Sequence, residues 1–205
     1  MDNQKRESFV ENAAIAAISP KKLAHAVFRT VDHYAEMIEW YCLVLNAHKV
    51  FESERITFLS YDEEHHRIAI ARSPDLKPRE NRCVGLDHVA FTYQCIGDLM
   101  GTYQRLKAAG VEPFCPVNHG PTTSLYYHDP DGNRIELQID NFDDMAEATG
   151  HMKAAFTINP VGVLFEPDEL VNQLAIAADA RALEIRPTGN ILPPTDELMR
   201  KLHSD

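Results

Sequence analysis

Two histidines and one glutamate stand at corresponding positions of the chain, and their side chains could hold a metal ion. His25 lies within the run 23–28 and His88 within the run 86–91, and the two runs have similar apolar neighbours around the histidine. Glu136 lies in a later strand-like run, where the alternation of side chains puts its carboxylate on the face opposite to the apolar residues. An acid and two histidines that face a shared concavity are costly to bury unless they are paired or bind a cation. These residue types therefore indicate a metal site.

The elements that must position these residues form an internal repeat of the order βαβββ. Each histidine run is followed by an amphipathic helix, predicted over 34–45 and over 96–106. Three strand-like runs come after each helix, at about 47–53, 55–62 and 66–72 in the first unit and at about 112–118, 122–128 and 134–140 in the second. The repeat makes His25 and His88 equivalent, and it makes Ala69 the counterpart of Glu136.

The repeat predicts an α+β fold in which two βαβββ modules form a curved mixed sheet around the metal site, followed by a C-terminal helical tail. We divide the chain into an N-terminal lead over 1–19, the paired-module domain over 20–140 and the tail over 141–205. The tail is expected to hold a helix over about 166–182 and a short one over 195–203. We interpret it as packing or oligomer-contact material, and we predict a homo-oligomer.

The composition excludes several classes of function. The 205 residues include 31 acidic and 20 basic side chains, and a net charge of −11 argues against a nucleic-acid partner. No apolar stretch approaches the roughly 20 residues of a membrane span. The four cysteines have no Cys-x-x-Cys spacing and the first residues lack the pattern of a signal peptide, so we predict a cytoplasmic protein with reduced thiols.

The paired units resemble the vicinal oxygen chelate superfamily, and within it the single-domain type I extradiol ring-cleaving dioxygenases. The resemblance covers about residues 20–140 and is strongest in the second unit. It is carried by the stretches His66–Ile70, Gly85–Phe91, Asn118–Gly120 and Tyr126–Glu136. It implies an enzyme of aromatic compound catabolism that uses Fe(II) and O2 to cleave a catechol-type ring, including that of a biaryl diol.

The counterpart of Glu136 distinguishes among members of this superfamily. Relatives such as glyoxalase I use four protein ligands, two from each unit, whereas Ala69 cannot bind a metal. His25, His88 and Glu136 remain, and two histidines with one carboxylate are the open ligand set that suits non-haem Fe(II). Whether the metal is Fe(II) or Mn(II) is left open at this point.

The resemblance also implies three residues that handle protons around the metal. His66 is expected to donate a proton beside the oxygen site, while His119 and Tyr126 are expected to bind a substrate oxygen and assist proton movement. Strict alternation along a strand would place His65 on the face of Ala69, but the resemblance favours His66.

Two other functions remain open from the sequence. One is a different metalloenzyme on the same fold, an isomerase, epimerase or lyase that polarises a carbonyl group with a redox-inert ion. The other is a non-catalytic protein that binds a ligand in the concave sheet. Taken singly, each histidine could also be structural, and Glu136 could form an ordinary ion pair with Arg134.

Overall fold

The computed structural model describes residues 17–77, 84–184 and 191–203. The first module has one helix and four strands in the order βαβββ. Its elements are β1 Ala26–Thr30, α1 Tyr34–Leu45, β2 His48–Glu52, β3 Ile56–Ser60 and β4 Ile68–Arg72. Its four-stranded sheet has the order β1-β4-β3-β2. The pair β1–β4 is parallel and the other pairs are antiparallel, so the sheet is mixed as expected.

The second module repeats this arrangement and gains one strand from the tail. Its elements are β5 His88–Thr92, α2 Ile96–Ala108, β6 Cys115–Asn118, β7 Thr122–His128 and β8 Arg134–Asp140. The sheet has the order β5-β8-β7-β6-β9, in which β9 is the short strand Val163–Leu164. The predicted α+β fold of two βαβββ modules with C-terminal helices is confirmed, and each module forms its own sheet.

The helices bury the apolar faces that the periodicity predicts. Tyr41 and Val44 of α1 and Leu99 and Leu106 of α2 are fully buried, and all four lie in one core shared by both modules. The hydroxyl of Tyr41 donates to the Oδ2 of Asp129 at 3.0 Å, which ties α1 to the turn between β7 and β8. The helices thus hold the two sheets in one body.

The tail contains more regular structure than the sequence indicates. Helix α3 spans Met145–Ala155, α4 spans Pro167–Ile176 and α5 spans Asp196–His203. The helix expected over 166–182 ends earlier, at Ile176, and a 3-10 turn at Ala180–Leu183 follows it. No helix among the described residues is long and apolar enough to cross a membrane. The division into lead, paired modules and tail stays a prediction, and most of the lead lies outside the described residues.

The first strand of each module lies at the edge of its sheet. Within the described residues β1 pairs only with β4, and β5 pairs only with β8. His25 directly precedes β1, and His88 is the first residue of β5. The two histidines that the repeat makes equivalent therefore lie at two separate sheet edges.

Candidate metal and catalytic site

His88 and Glu136 form a close pair on the second sheet. The parallel register sets His88 beside Arg134 and Ala90 beside Glu136, so the two side chains share a face at a diagonal offset. The Nε2 of His88 lies 3.0 Å from the Oε2 of Glu136, and its Nδ1 lies 2.6 Å from the Oδ2 of Asp87. The hydrogen bond to Glu136, aided by the one to Asp87, raises the pKa of His88 to about 9.

Glu136 is a buried carboxylate that stays ionised. Burial alone raises its pKa, but hydrogen bonds from His88 and Ser124 outweigh that effect and leave the pKa below its usual value. The side chain of His88, 3.0 Å away, is the partner of this buried carboxylate. A divalent cation could take over that role, since carboxylate and neutral imidazole are metal ligands and bind as the proton leaves. This half of the site fits a metal by its donor types and its geometry.

Tyr126 and His119 lie beside the same pair. Tyr126 is opposite Glu136 in the β7–β8 register, and its ring meets the His88 ring edge to face with 5.4 Å between centroids. Its hydroxyl oxygen lies 3.1 Å from the Nε2 of His119. Burial, and next the charge of Glu136, raise the pKa of Tyr126 well above the usual value, so the phenol keeps its proton. A proton donor and a proton acceptor are thus in contact next to the carboxylate.

His25 and His66 meet on the first sheet. Their ring centroids are 4.4 Å apart, and the His66 ring also stacks on Phe58 at 4.6 Å. Burial lowers the pKa of His66, and the nearby His25 and His65 lower it further. The side chain of His65 is 71% exposed. Strand alternation does not decide between the two histidines, because β4 begins only at Ile68.

The six predicted residues therefore fall into two groups. His88, Glu136, Tyr126 and His119 contact one another on the second sheet, while His25 and His66 are together on the first. Over the described ranges, no three or more His, Cys, Asp or Glu side chains are grouped so that they could hold a metal ion. A single chain thus presents two of the three predicted ligands at one point and the third on a different sheet.

The tail supplies contacts to this site that the sequence analysis missed. The Nδ1 of His119 donates a hydrogen bond to the backbone carbonyl of Val161. Val161 lies in the segment Asn159-Pro160-Val161-Gly162, whose composition is typical of a turn and could have drawn attention to it. Ser124 forms a hydrogen bond with Glu136. No sequence pattern marks this residue, because a serine inside a strand such as β7 does not by itself indicate a functional site.

Helix α5 packs on the face of the second sheet that carries Tyr126. Leu198 is fully buried in a small apolar cluster with Cys115, Val117 and Tyr126. At the end of the helix, the Nη1 of Arg134 donates to the carbonyl of Leu202 at 2.7 Å. The apolar surroundings of Tyr126 thus come partly from the tail.

Comparisons with known proteins agree with this architecture. A family model described as the Glyoxalase/Bleomycin resistance protein/Dioxygenase superfamily matches residues 22–137. Biphenyl-2,3-diol 1,2-dioxygenase 2 of Rhodococcus globerulus is 45% identical over 175 residues, which cover 81% of this chain and 92% of that protein. Biphenyl-2,3-diol 1,2-dioxygenase 3 of the same organism is 47% identical over 149 residues, covering 71% and 78%.

The solved structures that are similar to this chain include the fosfomycin resistance protein FosX of Mesorhizobium loti, which is 21% identical to it in sequence. The match covers 64% of this chain and 99% of that one, with a TM-score of 0.48. The family model covers more than half of the chain, and the described fold has the two βαβββ modules predicted from the repeat. The chain belongs to the Glyoxalase/Bleomycin resistance protein/Dioxygenase superfamily.

Proposed function

We propose that this chain is an Fe(II)-dependent extradiol dioxygenase that opens a catechol-type aromatic ring, including that of a biaryl diol, with both atoms of O2. The observation that carries the proposal is the contact group of His88, Glu136, Tyr126 and His119 on one face of the second sheet. It joins two residues suited to a metal to two residues suited to proton transfer. Two relatives at 45% and 47% identity bear the name biphenyl-2,3-diol 1,2-dioxygenase.

His25, His88 and Glu136 are the proposed ligands. Two neutral imidazoles and one carboxylate would hold Fe(II) and would leave room on it for a catechol and O2. The pairing of His88 with a buried Glu136 supports this assignment, because the site already concentrates a negative charge next to an imidazole nitrogen. Ala69, at the place equivalent to Glu136, provides no fourth side-chain ligand.

Three residues of the chain handle protons in this proposal. His119 donates from Nδ1 to a backbone carbonyl, so a neutral ring has its lone pair on Nε2 and can accept a proton from a substrate hydroxyl. The phenol of Tyr126 is held protonated and can donate to the substrate oxygen. His66 is the proposed donor to reduced oxygen; because its pKa lies below the ordinary value, the ring is mostly neutral at neutral pH and must take up a proton before it donates one.

We also propose that the active form is a homo-oligomer. Within the described residues β1 and β5 each pair with a strand on one side only, and an unpaired sheet edge is a template for pairing. Leu23 and Leu86, each two residues before a histidine, are 79% and 68% exposed. If β1 of one copy met β5 of another, His25 of the first copy would approach His88 and Glu136 of the second. A two-fold pair of this kind would form two such contacts.

A cytoplasmic location is part of the same proposal. The described cysteines, Cys42, Cys95 and Cys115, are unpaired thiols. Burial raises the pKa of Cys115 to about 11, which makes that thiol unreactive. Free thiols are typical of a reducing compartment.

The identity of the metal tests the proposed function against the other metalloenzymes of this fold. Full-length protein is stripped of metal, then loaded under argon with Fe(II), Mn(II) or Zn(II), and supplied with a panel of catechols and 2,3-dihydroxybiphenyl in air. We expect oxygen uptake and a yellow ring-opened product with Fe(II) and none with Zn(II). Activity with Zn(II) that consumes no oxygen would instead indicate an isomerase, epimerase or lyase.

A further inference from the structure

We propose that the Asn159–Gly162 turn of the tail is a positioning element for His119, which fixes the ring so that Nε2 faces the hydroxyl of Tyr126. The inference rests on the proposed role of His119 in proton transfer. The turn lies beyond the residues 22–137 that the family model matches. It would assign to the tail a part in the chemistry of the site.

The hydrogen bond between His119 and Val161 determines where the ring proton lies. A backbone carbonyl can only accept, so the Nδ1 of His119 must donate to the oxygen of Val161. The lone pair of the neutral ring is then on Nε2, which lies 3.1 Å from the Tyr126 hydroxyl oxygen. Free histidine rings mostly carry the neutral proton on Nε2, and that form could not accept a proton from this side. The turn therefore selects the form of the ring that the reaction needs.

Asn159 fixes the shape of the turn. Its side chain is buried, and Oδ1 accepts from the backbone nitrogens of Val161 at 3.1 Å and Gly162 at 2.8 Å. Its Nδ2 donates to the carbonyls of Gly162 at 2.8 Å and Leu192 at 3.0 Å. All four hydrogen-bonding positions of the amide are thus used, so the carbonyl of Val161 is held in one direction.

Gly162 brings the turn against the backbone of His119. Its φ of +124° is in the region that favours glycine. A Cβ at this position would lie 2.4 Å from the carbonyl oxygen of Asn118 and 2.9 Å from the Cα of His119. The next residue begins β9, which pairs with β6 through Asn118↔Val163. The turn and the His119 loop are therefore packed in direct backbone contact.

Other residues hold the same loop from its remaining sides. The Nδ2 of Asn118 donates to the carbonyl of Glu184 at 3.1 Å, and its Oδ1 accepts from the nitrogen of Gly120 at 2.8 Å. The Nδ2 of Asn141 donates to the carbonyl of Gly120 at 2.8 Å. Because the loop is fixed in this way, Asn159→Ala, which frees the turn, should act on the ring of His119 more than on the path of the chain, whereas a Cβ at Gly162 would also push on the loop backbone.

The position of the ring proton can be measured directly by NMR. Full-length, metal-free protein with 15N-labelled histidine gives ring nitrogen shifts that separate the two neutral forms, and a His119→Gln variant assigns the signal. We expect the wild type to carry the proton on Nδ1. Gly162→Ala and Asn159→Ala should shift the ring toward the Nε2-protonated form and lower kcat about 10- to 100-fold, with little change in KM.

Two further variants separate positioning from a loss of stability. Gly110→Ala removes a glycine with a φ of +80° that has no neighbour within 4 Å of an added Cβ, so it should strain the backbone without changing the His119 signal or kcat. Asn159→Ser keeps a side-chain oxygen that can accept from the turn nitrogens and places no charge against the carbonyls of Gly162 and Leu192, so it should retain more of the Nδ1-protonated form than Asn159→Ala. This milder variant also serves if Gly162→Ala does not fold.

The proposal is overturned if the wild type carries the proton on Nε2, or if the turn variants that fold leave the ring signal unchanged. An altered His119 signal in the variants, together with a wild type that turns over no diol, would support the positioning role. The lack of turnover by the wild type would at the same time contradict the proposed dioxygenase function.

Discussion

The Nε2 of His88 and the Oε2 of Glu136 lie 3.0 Å apart across two parallel strands. Neither residue is directly opposite the other, since the register pairs Glu136 with Ala90. The small side chain of Ala90 leaves space on the strand, so the imidazole can lean along β5 toward the carboxylate. This relationship explains how a charge can be buried at Glu136, and it is the geometric basis of the proposed metal site.

Loss of the carboxylate should remove the metal. Glu136→Ala is expected to lower the affinity for Fe(II) and the rate by more than about 100-fold, since even loss of an outer partner of a ligand costs roughly 10–100-fold. Iron bound per chain, measured after dialysis, is the direct readout. Gln138→Ala, two residues along the same face of β8, is the control and should keep its iron. Full iron retention in Glu136→Ala would contradict the assignment.

His65 and His66 offer a matched pair of substitutions. His66 packs between His25 and Phe58, while the His65 side chain is mostly exposed. We expect His66→Gln to lower kcat by about 100-fold, the lower end of what a general acid contributes. His65→Gln removes only a neighbour of the His66 ring and should have a much smaller effect on kcat. Steady-state kinetics with the best diol of the panel decides between them. The assignment of His66 would be wrong if the two variants behaved alike or in the opposite order.

Tyr126 and Tyr127 are adjacent on β7 and point to opposite faces. Tyr126→Phe removes a hydroxyl that contacts His119, and we expect a loss of kcat of about 10-fold or more. The buried hydroxyl of Tyr127 has no hydrogen-bond partner within the described part of the chain. Tyr127→Phe should therefore keep full activity and raise the free energy of unfolding by about 1 kcal/mol. Urea denaturation and kinetics of both variants would check this, and a selective loss of activity in Tyr127→Phe would count against it.

Much of the fold was predictable because each helix and strand of the repeat has its own local periodicity of apolar residues. The predicted helix over 34–45 and the strands over 122–128 and 134–140 agree with the structure to the residue. The tail was harder to interpret, since β9 has only two residues and depends on pairing with β6. A strand of two residues is too short to show the alternation of apolar and polar side chains by which strands are predicted.

The proposed site residues come from the sequence, but their arrangement on two sheets could not be predicted from it. The alternation that puts Glu136 and His88 on the faces opposite to their apolar neighbours is present in the structure, and it follows from strand geometry alone. By contrast, no local pattern specifies whether two equivalent modules share one sheet or form two. That choice depends on long-range packing of α1 and α2, and it leaves His25 on a different sheet from Glu136.

Complementation between two inactive variants tests the homo-oligomer. His25→Ala and Glu136→Ala should each lose iron and activity when expressed alone. Co-expressed, they can form mixed dimers in which one site has all three ligands, and we expect about a quarter of the wild-type activity and bound iron. His25→Ala co-expressed with a second copy of itself is the control. No recovery, from an active wild type that sediments as a monomer, would exclude a shared site.

Oxygen consumption by the iron-loaded, full-length protein tests the central claim most directly. The measurement pairs an oxygen electrode with absorbance of the product, using 2,3-dihydroxybiphenyl and unsubstituted catechol as substrates. The account predicts that each diol molecule consumed takes up one molecule of O2 and yields a yellow ring-opened product, and that Glu136→Ala abolishes both signals. Protein with stoichiometric iron that takes up no oxygen with any diol of the panel would contradict it.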